Sequence, residues 1–183
     1  MNAFRQLLRA AGSKPPIGTW ISSASPIVAE AIGHAGFDWA VVDMEHAPLD
    51  MMSLVHLLQA LAGTKTTGIV RVPWNDAVVV KRVLDAGATT LLFPFVQSAD
   101  EAARAVAATR YPPAGQRGMS GMTRASKFGT TPNYLKTADA GMGVILLARL
   151  SGRPIVPSAI ATSRRYVVEK SWDKTAVNLP FGR

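Results

Sequence analysis

Asp43, Glu45 and His46 put two carboxylates and an imidazole within four residues, directly after the apolar run Trp39-Ala40-Val41-Val42. That run has the length and β-branching of a buried strand. A buried strand with titratable groups at its C-terminal end is how βα barrels present catalytic residues. Imidazole titrates near neutral pH, so His46 is a candidate general base, and a carboxylate partner would orient it and raise its basicity. Asp43 and Glu45 are near in sequence, but strand alternation sends neighbours to opposite faces. Asp85 is an equally open partner through space. The alternative is that all three groups only bond strand-end backbone amides.

Arg71 stands inside the apolar stretch Gly68-Ile69-Val70-Arg71-Val72-Pro73. A guanidinium near a sheet interior is costly unless it meets an anion. A carboxylate or developing enolate oxygen of a substrate would serve, and so would a salt bridge to Asp43 or Glu45. Asp85 also reads as a plain helix-end residue before Gly87. Arg117 and Arg124 lie on a long loop, where they are either solvated or hold a second substrate carboxylate. His34 and His56 read as surface or half-buried histidines of helices rather than ligands.

The elements that must position these groups follow a regular rhythm. Residues 17–22 form a first strand, and Ser25-Pro26 opens a helix closed by Gly36. Strand 38–43 leads to a helix over 50–62, with Met51, Leu54, Val55, Leu58 and Leu61 on one face. Strand 68–73 leads to a helix over 76–86. Strand 89–95, stopped by Pro94, leads to a helix from Ser98 to Thr109 with acids in its first turn. Four βα units in register imply a parallel sheet with right-handed crossovers. Residues 110–143 read as a Gly- and Pro-rich loop of a length that serves a site or an interface. A fifth strand follows at 144–148. Residues 151–183 show neither a helix of credible length nor a further βα unit. The organisation expected is a partial barrel over 1–150 and an atypical, irregular basic tail over 151–183.

The 183 residues are 48% hydrophobic, enough for a full core. No stretch approaches the ~18 apolar residues of a membrane span. Residues 1–11 read as an amphipathic helix interrupted by arginines rather than a secretory signal. Without cysteine there is no disulfide, zinc thiolate or thiol nucleophile. The formal charge of +8 does not make a nucleic-acid surface: six Lys/Arg against two Asp/Glu in residues 151–183 supply half of it, and the rest is scattered. Neither a phosphate-cradling Gly-rich loop nor a nucleophile elbow is present. Neither nucleic acid nor membrane is an expected partner, and the expected location is the cytoplasm.

Several motifs, in order, resemble one family. They are Gly36-Phe37-Asp38-Trp39, Asp43-Met44-Glu45-His46-Ala47-Pro48, Arg71-Val72-Pro73-Trp74-Asn75-Asp76, Leu84-Asp85-Ala86-Gly87-Ala88, and Arg110-Tyr111-Pro112-Pro113 with Gly115 and Arg117-Gly118. Over about residues 15–147 they look like the HpcH/HpaI family of metal-dependent (class II) pyruvate aldolases. The resemblance implies a TIM (β/α)8-type barrel, usually a homohexamer, that cleaves 4-hydroxy-2-oxo acids to pyruvate, or a close 2-oxo acid, and an aldehyde. It implies a divalent cation (Mg2+, Mn2+ or Co2+) that polarises the 2-oxo acid. It makes His46 the base, Asp85 the carboxylate that raises its basicity, Arg71 the stabiliser of the enolate-like transition state, and Asp43 a pocket residue ordering bound water.

The departures are specific. The family's fifth strand ends in Gln-x-Glu, whose glutamate binds the metal, and a later Gly-Pro-x-Asp-Leu supplies a second carboxylate. Here the fifth strand runs Val144-Ile145-Leu146-Leu147-Ala148-Arg149-Leu150, and neither motif occurs. No metal ligand is therefore expected in this chain. The chain also falls short of the ~250 residues of a closed barrel. The expectation is an incomplete barrel, C-terminally truncated or frameshifted, with exposed sheet edges and a tendency to self-associate.

Overall fold

In the computed structural model, residues 2–12 and 14–147 and the backbone of 148 and 167–170 are described. The remainder of the tail expected to be irregular lies outside the described residues.

Helix α1 (Ala3–Ala10) precedes β1 (Gly18–Ile21), α2 (Pro26–His34), β2 (Trp39–Asp43), α3 (Met51–Ala62), β3 (Thr67–Arg71), α4 (Ala77–Asp85), β4 (Thr90–Val96) and α5 (Ala99–Thr109). A 3-10 turn (Arg124–Ser126) and α6 (Tyr134–Gly141) lead to β5 (Gly143–Ala148), and β6 (Val167–Lys170) follows. The six strands pair in sequence order, each parallel to the last. Every βα unit therefore adds on the same side of its predecessor, the rule of a (β/α) barrel and not of a doubly wound sheet, whose order reverses. The fold is α/β, an incomplete TIM-type barrel.

The helices start where their caps dictate. Ser25, Asp50, Asp76 and Ser98 each accept from a backbone amide three residues on, satisfying first-turn donors that have no partner within the helix. Ala40, Val42, Val70, Leu91 and Phe93 face the helices and pack against Leu54, Leu57, Val80, Val83 and Ala105. The alternate residues Val41, Ile69, Leu92 and Ile145 form a second core on the other face, into which α1 inserts Phe4. Phe4 meets Trp39 edge to face, ring centroids 6.3 Å apart. Asn2 fastens that helix: its amide donates to the Thr89 carbonyl, the Thr90 hydroxyl and the Gly141 carbonyl, each at 3.0 Å. Gly18 is required beside it, since a Cβ there would collide with the Trp39 indole.

Three expectations change. The tail over 151–183 is not irregular throughout, because Val167–Lys170 pairs as β6, parallel to β5. Pro94 does not stop β4; the strand continues to Val96 with a register break between Phe93 and Val96, the irregularity that accommodates a residue without an N–H. Residues 110–143 are not loop throughout, because Tyr134–Gly141 is helical. That segment is short, and its Thr and Gly are weak helix formers, so periodicity could not reveal it. Among the described residues no helix is long and apolar enough to cross a membrane.

Candidate active site

Asp43 and Arg71 end β2 and β3 and are paired in register. Both fall on the Val41–Ile69 side of the sheet, so they stand above the inner core at the C-terminal edge. There they form a fork: Arg71 Nε donates to Asp43 Oδ1 at 2.8 Å and Nη2 to Oδ2 at 2.5 Å. Nη1 meets Glu45 Oε2 at 2.9 Å. The guanidinium carbon lies 4.5 Å over the Trp20 ring. Asp43 is 3% exposed, and its Oδ1 also accepts from the amides of Glu45 (3.0 Å) and His46 (3.3 Å).

Asp43 and Glu45 grip one guanidinium because the chain turns immediately after Asp43, over residues 44–46. The turn cancels the alternation that would have separated them. Of the two readings of Arg71, the salt bridge is present, with both carboxylates. Two of its five N–H protons donate to Asp43 and Nη1 faces Glu45, so the guanidinium retains N–H capacity for an external oxygen. Sequence reasoning did not find Trp20 as the other wall of this arginine, since nothing in a strand sequence indicates what stacks across strands.

His46 stands at the rim. Its Nε2 is 3.6 Å from Glu45 Oε2, beyond hydrogen-bond reach, and its side chain is 72% exposed. Solvent or a bound molecule can therefore reach it.

Burial acts to raise the Asp43 carboxyl. It is outweighed by the Arg71 hydrogen bond, the amides of Glu45 and His46 and the guanidinium charge, so the group lies below its ordinary value. A carboxylate depressed on folding adds stability above its unfolded pKa of about 3.9, and that stability is lost as pH falls through the folded value. Asp50, the exposed cap of α3, shifts the same way through its bonds to Ser53. Unfolding free energy, followed by urea titration, is expected to hold from pH 7 to about 5 and to decline below about 4. The decline should be shallower in Asp43→Asn. Stability that rises on acidification would contradict this assignment.

Asp85 is not beside His46. It ends α4, at the N-terminal edge of the sheet, where it accepts from Arg117 Nη2 at 2.7 Å. The expected pairing of Asp85 with His46 is not found within this chain. A crossover helix returns toward the start of the next strand, so its last residue faces away from the strand ends that carry His46. Arg117, read from sequence as a loop residue for solvent or substrate, is instead fully buried, its side chain 0% exposed. It stacks 4.6 Å over Tyr111, whose hydroxyl burial pushes up to about 12. Desolvation acts to lower the Arg117 guanidinium, but the Asp85 bond together with the Tyr134 and Tyr111 hydroxyls outweighs it and the net shift is upward. Arg124 donates to the Ala86 carbonyl at 2.9 Å, and Gly87, at φ +104, leaves room for that guanidinium. Both arginines thus close the end of α4, where a cation suits the helix dipole.

A divalent cation needs several oxygen ligands free of other bonds. Asp43 and Glu45 do not fit one, because Arg71 already holds both carboxylates. Among the described residues no group of three His, Cys, Asp or Glu could hold a metal ion.

Residues 16–150 match the sequence model of the HpcH/HpaI aldolase/citrate lyase family. A relative named 5-keto-4-deoxy-D-glucarate aldolase, from Salmonella newport (strain SL254), is 48% identical over 145 residues, 79% of this chain and 56% of that protein. A solved HpcH/HpaI aldolase/citrate lyase family protein from Burkholderia cenocepacia J2315 is 43% identical with a TM-score of 0.75, covering 80% of this chain and 59% of the other. The HpcH/HpaI aldolase of Desulfitobacterium hafniense DCB-2 is 26% identical with a TM-score of 0.69, covering 80% and 57%. The chain thus spans little more than half the length of the curated relatives it matches.

Proposed function

The chain belongs to the HpcH/HpaI aldolase/citrate lyase family, and from that premise we propose that its site is the base-and-guanidinium part of a carbon–carbon lyase for 4-hydroxy-2-oxo acids. One observation carries the reading: an accessible imidazole, His46, stands beside an arginine fixed by two carboxylates at the C-terminal strand ends.

In the cleavage direction His46 takes the proton of the C4 hydroxyl. The C3–C4 bond breaks, the aldehyde leaves, and the electron pair comes to rest as an enolate with its negative charge on the C2 oxygen. The N–H protons of Arg71 that are not given to Asp43 stabilise that oxygen as charge develops. The proton held by His46 then returns to C3 and yields pyruvate or a close 2-oxo acid. Asp43 and Glu45 act through Arg71, which they hold in one orientation, so they are positioning residues here. Asp85 has no part in proton transfer within one chain; it holds Arg117. The relatives' name makes a sugar-acid substrate a natural candidate, and the proposal includes a cytoplasmic homohexamer.

Family members generally use a divalent cation, and the described residues do not fit one. This favours a second reading, a family chain that keeps base and arginine but does not turn over.

Exchange of the pyruvate methyl protons with solvent deuterium, followed by NMR, separates the two. It needs no aldehyde. On the aldolase reading exchange occurs, and His46→Ala slows it by about 10²–10⁴-fold while leaving stability unchanged, since the imidazole is exposed. Absence of exchange from folded protein, with and without Mn2+, would sink the aldolase reading and leave the second.

A further inference from the structure

We propose that Glu45 couples the base to the arginine. A proton arriving on His46 draws the Glu45 carboxylate away from Arg71, whose charge then meets the enolate oxygen less compensated. The inference rests on the aldolase reading and gives that site a positioning residue that answers to the proton.

One oxygen serves both neighbours. Glu45 Oε2 lies 2.9 Å from Arg71 Nη1 and 3.6 Å from His46 Nε2. The backbone beneath it is fixed, because the amides of Glu45 and His46 both donate to Asp43 Oδ1. Arg71 is fixed without Glu45 as well. Asp43 accepts from its Nε and Nη2, and Trp20 covers the guanidinium at 4.5 Å. The Glu45 side chain can therefore move without loosening the arginine.

Charge gives it a reason to move. At rest one guanidinium meets two carboxylates, and such a surplus of negative charge opposes a further one on the C2 oxygen. While His46 is neutral, the carboxylate favours a hydrogen rather than a lone pair on the nitrogen that faces it. The imidazole hydrogen thus sits on Nε2, and Nδ1 carries the lone pair that acts as base. In methyl exchange the C3–H bond breaks, its proton joins Nδ1 and its electron pair comes to rest on the C2 oxygen. Imidazolium and carboxylate then attract. Closing their gap to the ~2.8 Å of a charge-assisted hydrogen bond draws Oε2 off Nη1, and Nη1 donates to the enolate oxygen instead. Return of the proton to C3 resets the cluster.

The test uses the full chain labelled with 15N-histidine. The 15N shifts of the neutral imidazole report which nitrogen carries the hydrogen, and His46→Ala identifies its signals among the three histidines. His46 is expected to carry the hydrogen mainly on Nε2, and Glu45→Gln should remove that preference. Glu45→Gln should also slow deuterium exchange into pyruvate by about tenfold, a part of the 10²–10⁴ that a positioned base supplies. The loss should fall on kcat and not on KM, because Asp43 still holds Arg71. Glu45→Asp, which keeps the charge, should recover part of the rate, and far-UV circular dichroism checks that each variant is folded. In a His46→Ala background Glu45→Gln should make no further difference. An equal loss in that background, or a loss that appears in KM alone, overturns the coupling. Exchange without any Nε2 preference overturns it too and leaves the aldolase reading standing. A preference without exchange from the folded parent overturns the aldolase reading, and the coupling with it.

Discussion

Asp85→Ala is expected to lower the unfolding free energy by about 3–5 kcal/mol, the cost of leaving one member of a buried ion pair uncompensated. Arg117 makes its side-chain hydrogen bond through Nη2 to Asp85, and its side chain is 0% exposed. With the carboxylate gone, the guanidinium stays inside the fold, stacked on Tyr111, without an anion. Urea unfolding followed by tryptophan fluorescence reads the loss as a lowered midpoint. The pair double mutant Asp85→Ala/Arg117→Met should recover much of it, because it removes the stranded charge. A cost below about 1 kcal/mol, the range of exposed pairs, would mean that Arg117 escapes to solvent and that this end of α4 is not closed as described. The experiment also bears on function. Asp85 carries the family pattern, yet within one chain its measurable role is to hold Arg117.

Asp43→Ala should cost a comparable ~3–5 kcal/mol by the same reasoning, and it should also disable the site. Asp43 is 3% exposed and satisfies four donors: two nitrogens of Arg71 and the amides of Glu45 and His46. Its removal frees the turn over 44–46 that places His46, and it leaves Arg71 with Glu45 as its remaining carboxylate. Deuterium exchange into pyruvate should therefore fall in Asp43→Ala, whereas His46→Ala loses exchange without losing stability. Asp43→Asn keeps the shape and some of the hydrogen bonds, so its cost should be intermediate. An Asp43→Ala protein as stable as the parent would show that the fork contributes nothing at these strand ends.

Whether residues 1–150 and 151–183 behave as separate units bears on both measurements. Limited proteolysis tests the division: cleavage within 151–183 that leaves residues 1–150 intact would show two units, and loss of both together would show one. The apolar strand edges predict self-association, which light scattering reads directly and which concentration series should separate from a defined hexamer.

The elements were legible in the sequence because their signals are local. Ser25, Asp50, Asp76 and Ser98 mark helix starts by capping chemistry that acts within three residues. The apolar runs at 39–42 and 90–93 mark buried parallel strands by composition alone. The order of βα units then allows little besides a parallel sheet, and the cluster Asp43, Glu45 and His46 is one stretch of chain. What depends on distant partners was not legible. Asp85 and Arg117 are 32 residues apart, and neither type nor spacing says that one is buried to hold the other. Arg71 could be placed on a strand, but its two carboxylates and the Trp20 ring come together only when β1, β2 and β3 align. Phe95 looked like an ordinary strand residue until the register break beside Pro94 turned it outward. The sequence determined which groups stand at strand ends; the tertiary structure decided which of them meet, because hydrogen bonds and burial depend on distances that the chain closes only by folding.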